Sequence, residues 1–111
     1  MNVEELLQQT DYKEVALEGD LQVAITKPFC CDLLSIAMGK APAGAAWVTV
    51  MANMNTIAVA ALTEVALIIL AEGSMLDEVT IQKAKEQHIL VVATKKPVFD
   101  TAYEIHRLLG E

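Results

Sequence analysis

The chain has few cysteines, few aromatic residues and few positive charges. Its two cysteines, Cys30 and Cys31, are adjacent, whereas a disulfide framework needs cysteines spread along the chain so that the bridges close long loops. One Trp, two Tyr and two Phe are too few for a surface on which nucleic-acid bases stack. Fifteen Asp and Glu against eight Lys and Arg give a net charge of -7, which repels phosphate backbones and anionic lipid headgroups. The sequence therefore excludes a disulfide scaffold and predicts no nucleic-acid partner.

The signals of export and of membrane insertion are also missing. The first residues are acidic and contain no apolar run, unlike a signal peptide, so we expect a cytoplasmic location. No charged residue lies between Lys40 and Glu64, a window long enough on paper to cross a bilayer. However, Pro42, Gly44 and Asn53 divide this window into a turn, a strand and a helix, and its polar side chains would be costly in lipid. We predict no membrane segment.

Apolar residues are abundant. The hydrophobic share of the 111 residues is 54%, the charged share is 21%, and the mean hydropathy is +0.40. These values predict one folded domain, residues 1–111, with a single core and no linker or internal repeat. A domain of this size leaves much of its area exposed, so the surplus of apolar residues predicts that a second copy covers part of it. The expected state is a homodimer.

The first part of the chain is predicted to form a short helix followed by a hairpin. The apolar spacing favours a helix over residues 3–10, with acidic residues in its first turn. Two apolar runs follow, Val15–Leu17 and Leu21–Ile25, separated by a Glu-Gly-Asp connection at residues 18–20. This composition is typical of a tight turn between two paired strands.

From residue 45 onward, short apolar strands alternate with helices. Two of the strands show no polar alternation, which is typical of strands that are buried on both faces. The alternation implies right-handed crossovers and predicts an α/β fold, a mainly parallel sheet with helices on both faces. The predicted strands are 46–50, 66–70 and 89–93, the helices are 55–65, 77–88 and one from Pro97, and the buried side of the last comprises Val98, Phe99, Ala102, Ile105, Leu108 and Leu109.

The candidate site lies where the parallel strands end. Ligands of open parallel sheets gather outside the carboxyl ends of the strands, and three predicted loops share that edge. Asparagines offer neutral donors and acceptors at a helix amino terminus and lysines supply positive charge, so this edge could hold an anion or a nucleotide phosphate. The candidate ligand-binding residues are Thr49, Asn53, Asn55, Glu72, Gly73, Thr94 and Lys95.

Structural roles compete with binding at several of these residues. Asn53 or Asn55 could simply cap the following helix, and the lysines could form a solvated face. Asp32 is predicted to cap the helix that Gly39 ends. The methionines at residues 38, 51, 54 and 75 are predicted to pack in the core.

Catalytic and cofactor signatures are not found. The chain has no glycine-rich loop with a phosphate-binding lysine and no dinucleotide fingerprint. Zinc needs about four ligands at workable spacing, and beside the two cysteines only His88 and His106 could help. We therefore predict no metal, no cofactor and no enzymatic activity.

A series of segments in this order resembles the DRTGG domain family. The segments are DLLSIAMG at residues 32–39, WVTVMANMNTIAVAAL at 47–62 and ALIILAEG at 66–73, with a later helix start at Asp77. The resemblance covers about residues 21–109. One departure concerns the motif that names the family, because residues 20–26 read DLQVAIT and lack its arginine and paired glycines.

The resemblance implies a regulatory protein. Members of the DRTGG family occur as stand-alone proteins, between CBS domains of regulated pyrophosphatases and in phosphotransacetylase-like proteins, and a related fold forms the amino-terminal domain of HPr kinase/phosphatase. It implies an α/β fold and a dimer that senses or relays a signal while catalysis resides in other domains. Small stand-alone members of the family resemble the domains encoded near hydrogenase and redox genes, so the resemblance also points to that setting.

Two hypotheses of function follow. The leading one is a non-catalytic, homodimeric regulatory module that binds a small anionic metabolite or a nucleotide at the carboxyl edge of the sheet. The alternative is a protein-interaction or assembly module without a small ligand, and the apolar surplus and bare loops fit it equally well.

Overall fold

A five-stranded sheet with the order β1-β5-β4-β3-β2 forms the centre of the computed structural model, which describes residues 1–110. Residue 111, the last of the predicted domain, lies outside the described residues. The strands are β1 Lys13–Ala16, β2 Pro28–Cys30, β3 Ala46–Thr49, β4 Leu67–Leu70 and β5 Val91–Ala93. The helices are α1 Val3–Gln8, α2 Leu34–Lys40, α3 Met54–Thr63, α4 Glu78–Glu86 and α5 Val98–Leu108.

The sheet is parallel except at one edge. Strands β2, β3, β4 and β5 pair in parallel, and β1 pairs antiparallel with β5. All residues of β3 and β4 are buried, as expected of central strands in a parallel sheet that is covered on both faces. The prediction of a single α/β domain with a mainly parallel sheet is confirmed.

Helices cover both faces of the sheet and divide the core into two layers. On one face, α1 and α5 bury Val3, Leu6 and Ile105 against the sheet. On the other face, α2, α3 and α4 bury residues such as Ala37, Ile57 and Ala84 in a cluster that also contains Trp47 of β3. The small residues let the helices approach the sheet closely.

The predicted hairpin is wrong. Strand β1 overlaps the first predicted run, but its partner is β5, with Lys13 opposite Ala93 and a register shift between Glu14 and Ala16. The connection contains Gly19 because another segment of the backbone passes close to it, and it does not form a tight hairpin turn. A Cβ on Gly19 would lie 2.7 Å from the carbonyl oxygen of His88.

The second predicted run, residues 21–25, extends beside α1 and forms no strand with β1. The amide of Val3 donates a hydrogen bond to the carbonyl of Val23 (3.1 Å), and the amide of Ile25 donates to that of Met1 (2.9 Å). The chain therefore uses this apolar run to close one face of the core over α1, and its backbone groups are satisfied there.

Two details of the helices differ from expectation. Helix α2 continues through Gly39 to Lys40, because the amide of Ala41 still donates to the carbonyl of Ala37 at 2.8 Å. In α5, Phe99 lies outside the core with 73% of its surface exposed, although it was predicted on the buried side. Its ring stacks on Tyr103 instead.

Candidate functional site

The carboxyl ends of the four parallel strands lie at one edge of the sheet, together with the start of β1. Because β1 is antiparallel to β5, its first residue, Lys13, lies opposite Ala93, where β5 ends. This pairing could not be predicted from the sequence, whose local pattern indicated a hairpin with residues 21–25 instead. The topology thus brings residues 11–14 to the edge where ligands of open parallel sheets bind.

A cavity of about 490 Å³ opens at this edge between β1, the loop after β4 and the loop after β5. Its size lies in the range of small-molecule pockets, roughly 300 to 1,000 Å³. The predicted site residues Gly73, Thr94 and Lys95 line it, whereas Glu72 lies in the adjoining turn. The full lining is Asp11, Lys13, Glu14, Val15, Gly73, Ser74, Met75, Ala93, Thr94, Lys95 and Lys96.

The loop after β4 is held by hydrogen bonds to the loop after β5. Glu72 (φ 59°) and Gly73 (φ 75°) are both left-handed, a conformation that favours glycine. The amide of Glu72 donates to the carbonyl of Lys96 at 2.9 Å, and the amide of Gly73 donates to that of Thr94 at 3.0 Å. Since these two amides are engaged, they are not available to a ligand in the cavity.

Two lysines supply the charge that is open to a ligand. Neither Lys13 nor Lys95 forms an ion pair with any described residue, and both residues are exposed. Lys96 is neutralised instead. Its Nζ lies 3.1 Å from Glu104 Oε2 and 3.5 Å from Asp11 Oδ1. The lining thus contains three lysines against two carboxylates, Asp11 and Glu14, and Lys13 and Lys95 are the lysines without an ion pair among the described residues.

The Lys96 ion pair belongs to a network that fixes the wall of the cavity. The hydroxyl of Tyr12 donates a hydrogen bond to Glu104 Oε1 at 2.8 Å, and Lys96 Nζ lies 5.9 Å from the centre of the Tyr12 ring. Burial, followed by the hydrogen bond to Glu104, raises the pKa of Tyr12, and the hydrogen bond to Glu104 raises the pKa of Lys96. Tyr12 stays neutral and Lys96 stays charged, so the network persists at neutral pH.

Met75 provides an apolar rim. The sequence predicted this side chain in the core, but 82% of its surface is exposed, and Met38 (54%) and Met54 (37%) are also exposed. A flexible thioether at a cavity mouth can adapt to a flat or irregular apolar group. The cavity thus combines an apolar rim with two lysines.

The remaining candidates, Thr49, Asn53 and Asn55, lie where β3 ends and α3 begins, and the side chains of Thr49 and Asn53 are engaged in internal hydrogen bonds. Thr49 is fully buried, and its hydroxyl donates to Asp32 Oδ1 at 2.6 Å. The same oxygen accepts a hydrogen bond from the amide of Val50 at 2.9 Å. The prediction that Asp32 caps α2 is therefore wrong, because the N-cap is Leu33 and Asp32 instead joins the loops after β2 and β3.

Asn53 acts as a helix cap, one of the two roles that the sequence left open. Its side-chain oxygen accepts a hydrogen bond from the amide of Thr56 at 3.1 Å, which satisfies a free donor at the start of α3. Asn55 is exposed within the first turn of α3. Thr49, Asn53 and Asn55 do not line the cavity that Lys95 lines.

The cysteines and histidines form no metal centre among residues 1–110, where no group of three or more His, Cys, Asp or Glu side chains could hold an ion. Burial, followed by the charges of Asp32 and Cys31, raises the pKa of Cys30 and favours its protonated thiol. His88 places Nδ1 3.0 Å from the carbonyl oxygen of Glu18.

No helix within residues 1–110 is both long enough and apolar enough to cross a membrane.

The fold and the cavity define a small α/β domain with a mainly parallel sheet and a pocket at its carboxyl edge. Among solved structures, the chain is similar to the CBS and DRTGG domains of the regulatory region of Clostridium perfringens pyrophosphatase, which was solved in complex with its activator, diadenosine tetraphosphate. The TM-score is 0.74 at 17% sequence identity, over 94% of this chain and 45% of that chain.

The fold is therefore DRTGG-like, as the sequence predicted. The chain spans a little less than half the length of the solved chain that it matches. No family model matches the sequence, and no curated protein matches it either.

Proposed function

We propose that this chain is a non-catalytic regulatory module that pairs with a second copy and binds a small anionic metabolite or a nucleotide. The observation that carries the proposal is the cavity of about 490 Å³ with Lys13 and Lys95 on its wall. Neither cation forms an ion pair with a described carboxylate, so both are available to an anion.

The residues that line the cavity favour a ligand with both an anionic and an apolar part. Lys13 and Lys95 lie on β1 and on the loop after β5, whereas Met75 and Val15 add apolar surface to the lining. A nucleotide has this composition, with phosphates for the lysines and a base for the apolar rim. A small inorganic anion would use only the lysines.

The structural neighbour supports a regulatory role. That protein is a regulatory region and was solved with a nucleotide activator. At 17% identity the likeness concerns the fold alone, so the ligand of this chain has to be inferred from its own cavity.

Calorimetric titration tests the ligand. ATP, AMP and pyrophosphate are titrated at low salt into the wild-type protein and into a Lys95→Glu variant, with Lys40→Glu as the matched control at an exposed lysine of α2 outside the cavity. Reversing one charge near a phosphate changes the interaction by about 2 kcal/mol in water, so the affinity should fall by roughly tenfold or more in Lys95→Glu only. Absence of binding to all three probes, or equal affinity in both variants, would contradict the proposal.

A second candidate, an assembly module without a small ligand, is favoured by ten exposed large hydrophobic side chains among the described residues. A pull-down from native extract separates the two. The assembly module should retain one stoichiometric partner protein, whether or not the lysines of the cavity are changed.

A further inference from the structure

Helix α5 carries an exposed pair of stacked aromatic rings. The side chains of Phe99 and Tyr103 are 73% and 50% exposed, their ring centroids lie 5.8 Å apart, and the ring planes differ by 8°. The guanidinium carbon of Arg107 lies 5.9 Å from the centre of the Tyr103 ring. The chain has only two Phe and two Tyr, and one of each lies in this exposed pair.

These three side chains form one stripe, which we call the α5 stripe: Phe99, Tyr103 and Arg107. Residues four apart lie on the same face of a helix, so the stripe runs about 12 Å along the outer side of α5. The opposite side of the helix packs on the sheet through the buried residues Thr101 and Ile105. Phe99, Tyr103 and Arg107 do not line the cavity at the carboxyl edge.

The composition of the α5 stripe is that of a protein interface. Tyr and Arg are enriched among the residues that contribute most to protein-protein binding, and aromatic side chains bury a large area with little loss of conformational freedom. Left in water, the Phe99 ring exposes apolar area that association would remove from solvent.

The charges along α5 are self-complementary. The first turn carries Asp100, and the last turn carries the basic residues His106 and Arg107. When two copies of the helix lie antiparallel with Tyr103 at the two-fold axis, position 99 of one copy faces position 107 of the other. Each Arg107 then meets a Phe99 ring and the neighbouring Asp100 carboxylate of its partner, and the helix dipoles oppose each other.

We propose that the α5 stripe is the face through which two copies of this chain pair, with the two α5 helices antiparallel. The inference rests on the pairing in the proposed function and assigns its surface. Helix α2 also exposes apolar side chains, Leu33 at its N-cap and Ile36 and Met38 within it, but no acidic residue lies in its first turn and only Lys40 is basic in its last. The carboxylate next to its N-cap, that of Asp32, already accepts hydrogen bonds from the Thr49 hydroxyl and the Val50 amide, so α2 offers Lys40 but no uncommitted acidic partner that would orient a second copy.

Sedimentation equilibrium over a range of concentrations tests this assignment, with circular dichroism to confirm that each variant is folded. The first variant, Phe99→Ser with Tyr103→Ser, changes only exposed side chains and should raise the dissociation constant of the dimer at least about tenfold. The matched control is Leu62→Ser on α3, where the side chain is 71% exposed on the other face of the sheet. Its dimer should dissociate as the wild type does.

A charge exchange tests the antiparallel orientation. Arg107→Glu alone places two acidic groups opposite each other and should weaken the dimer, whereas Arg107→Glu combined with Asp100→Arg restores opposite charges across the axis and should return the dissociation constant toward that of the wild type. A merely local effect on the helix would be the same or larger in the double variant, because both changes oppose the helix dipole.

The outcomes separate the two proposals. A wild-type protein that stays monomeric at its highest attainable concentration refutes this assignment and the pairing part of the proposed function, while the anion titration judges the ligand independently. A wild-type dimer that resists the Phe99 and Tyr103 changes, or an Arg107→Glu variant that Asp100→Arg fails to restore, refutes only the α5 assignment.

Discussion

Removal of the Asp32 carboxylate should loosen the junction between the loops after β2 and β3. Asp32 Oδ1 accepts hydrogen bonds from the buried Thr49 hydroxyl (2.6 Å) and from the Val50 amide (2.9 Å). Hydrogen bonds to a charged group contribute about 1.5 to 3 kcal/mol, and the exposure of Asp32 to solvent reduces this. We expect Asp32→Ala to lower the free energy of unfolding by about 1 to 2 kcal/mol, or the melting temperature by roughly 4 to 8 °C.

A double-mutant cycle shows whether the cost arises from this contact. Thr49→Val keeps the shape of the buried side chain and removes its hydroxyl, and urea denaturation gives the free energy of unfolding of each variant. If the two groups interact as the structure has them, Asp32→Ala with Thr49→Val should cost about 1 kcal/mol less than the sum of the single changes. Additive costs would show that the two side chains do not interact, and Asp32 would then have to act at the start of α2. Asp32→Asn, which keeps an oxygen acceptor, should lie between Asp32→Ala and the wild type.

Three further predictions concern stability. Asn53→Ala removes the cap of α3 and should cost about 1 kcal/mol, whereas Asn55→Ala, in the same turn without that hydrogen bond, should cost less than about 0.5 kcal/mol; equal melting temperatures for the two variants would contradict the capping role. The raised pKa values of Tyr12 and Lys96 stabilise the fold fully below their unfolded values near 10, and this stability is lost as the pH rises toward their folded values. Urea denaturation between pH 8 and pH 11 should therefore show a decline that is smaller in Tyr12→Phe, and an unchanged decline in that variant would count against the network. Gly19→Ala should lower the melting temperature because its Cβ would lie 2.7 Å from a backbone oxygen, and a variant as stable as the wild type would show that this approach relaxes at no cost.

The second half of the fold could be predicted from local patterns because its elements are regular and long enough to show them. The run at residues 66–70 is apolar throughout and the run at 46–50 is apolar except for Thr49, and the structure buries all of β3 and β4. The helix starts at Asn53 and Asp77 carry cap residues, and both side chains accept the expected hydrogen bonds. In these segments, local preference and the tertiary environment favour the same structure.

The first third resisted prediction because its structure depends on partners that are distant in the sequence. Residues 15–17 and 21–25 have the composition of a hairpin, yet β1 pairs with β5, more than 70 residues further on. Strand β2 has only three residues and begins with a proline, so it shows no alternation that could be recognised. Asp32 lies where a helix cap is expected, but its carboxylate accepts a hydrogen bond from the buried hydroxyl of Thr49, 17 residues further on.

The same dependence on distant partners divides the predicted site. Thr49 ends β3 and Asn53 follows it, as Thr94 and Lys95 follow β5, and the residue types alone could not show which polar groups already form hydrogen bonds. The structure engages the first pair in internal hydrogen bonds and leaves Lys95 without an ionic partner among the described residues, beside a lysine from β1 that only the antiparallel pairing brings there. Changes at Thr49 or Asn53 should therefore lower stability and leave anion affinity unchanged, whereas changes at Lys13 or Lys95 should lower affinity and leave stability unchanged. If Asn53→Ala weakened anion binding in a fully folded protein, the site would extend beyond the cavity, toward the loop before α3.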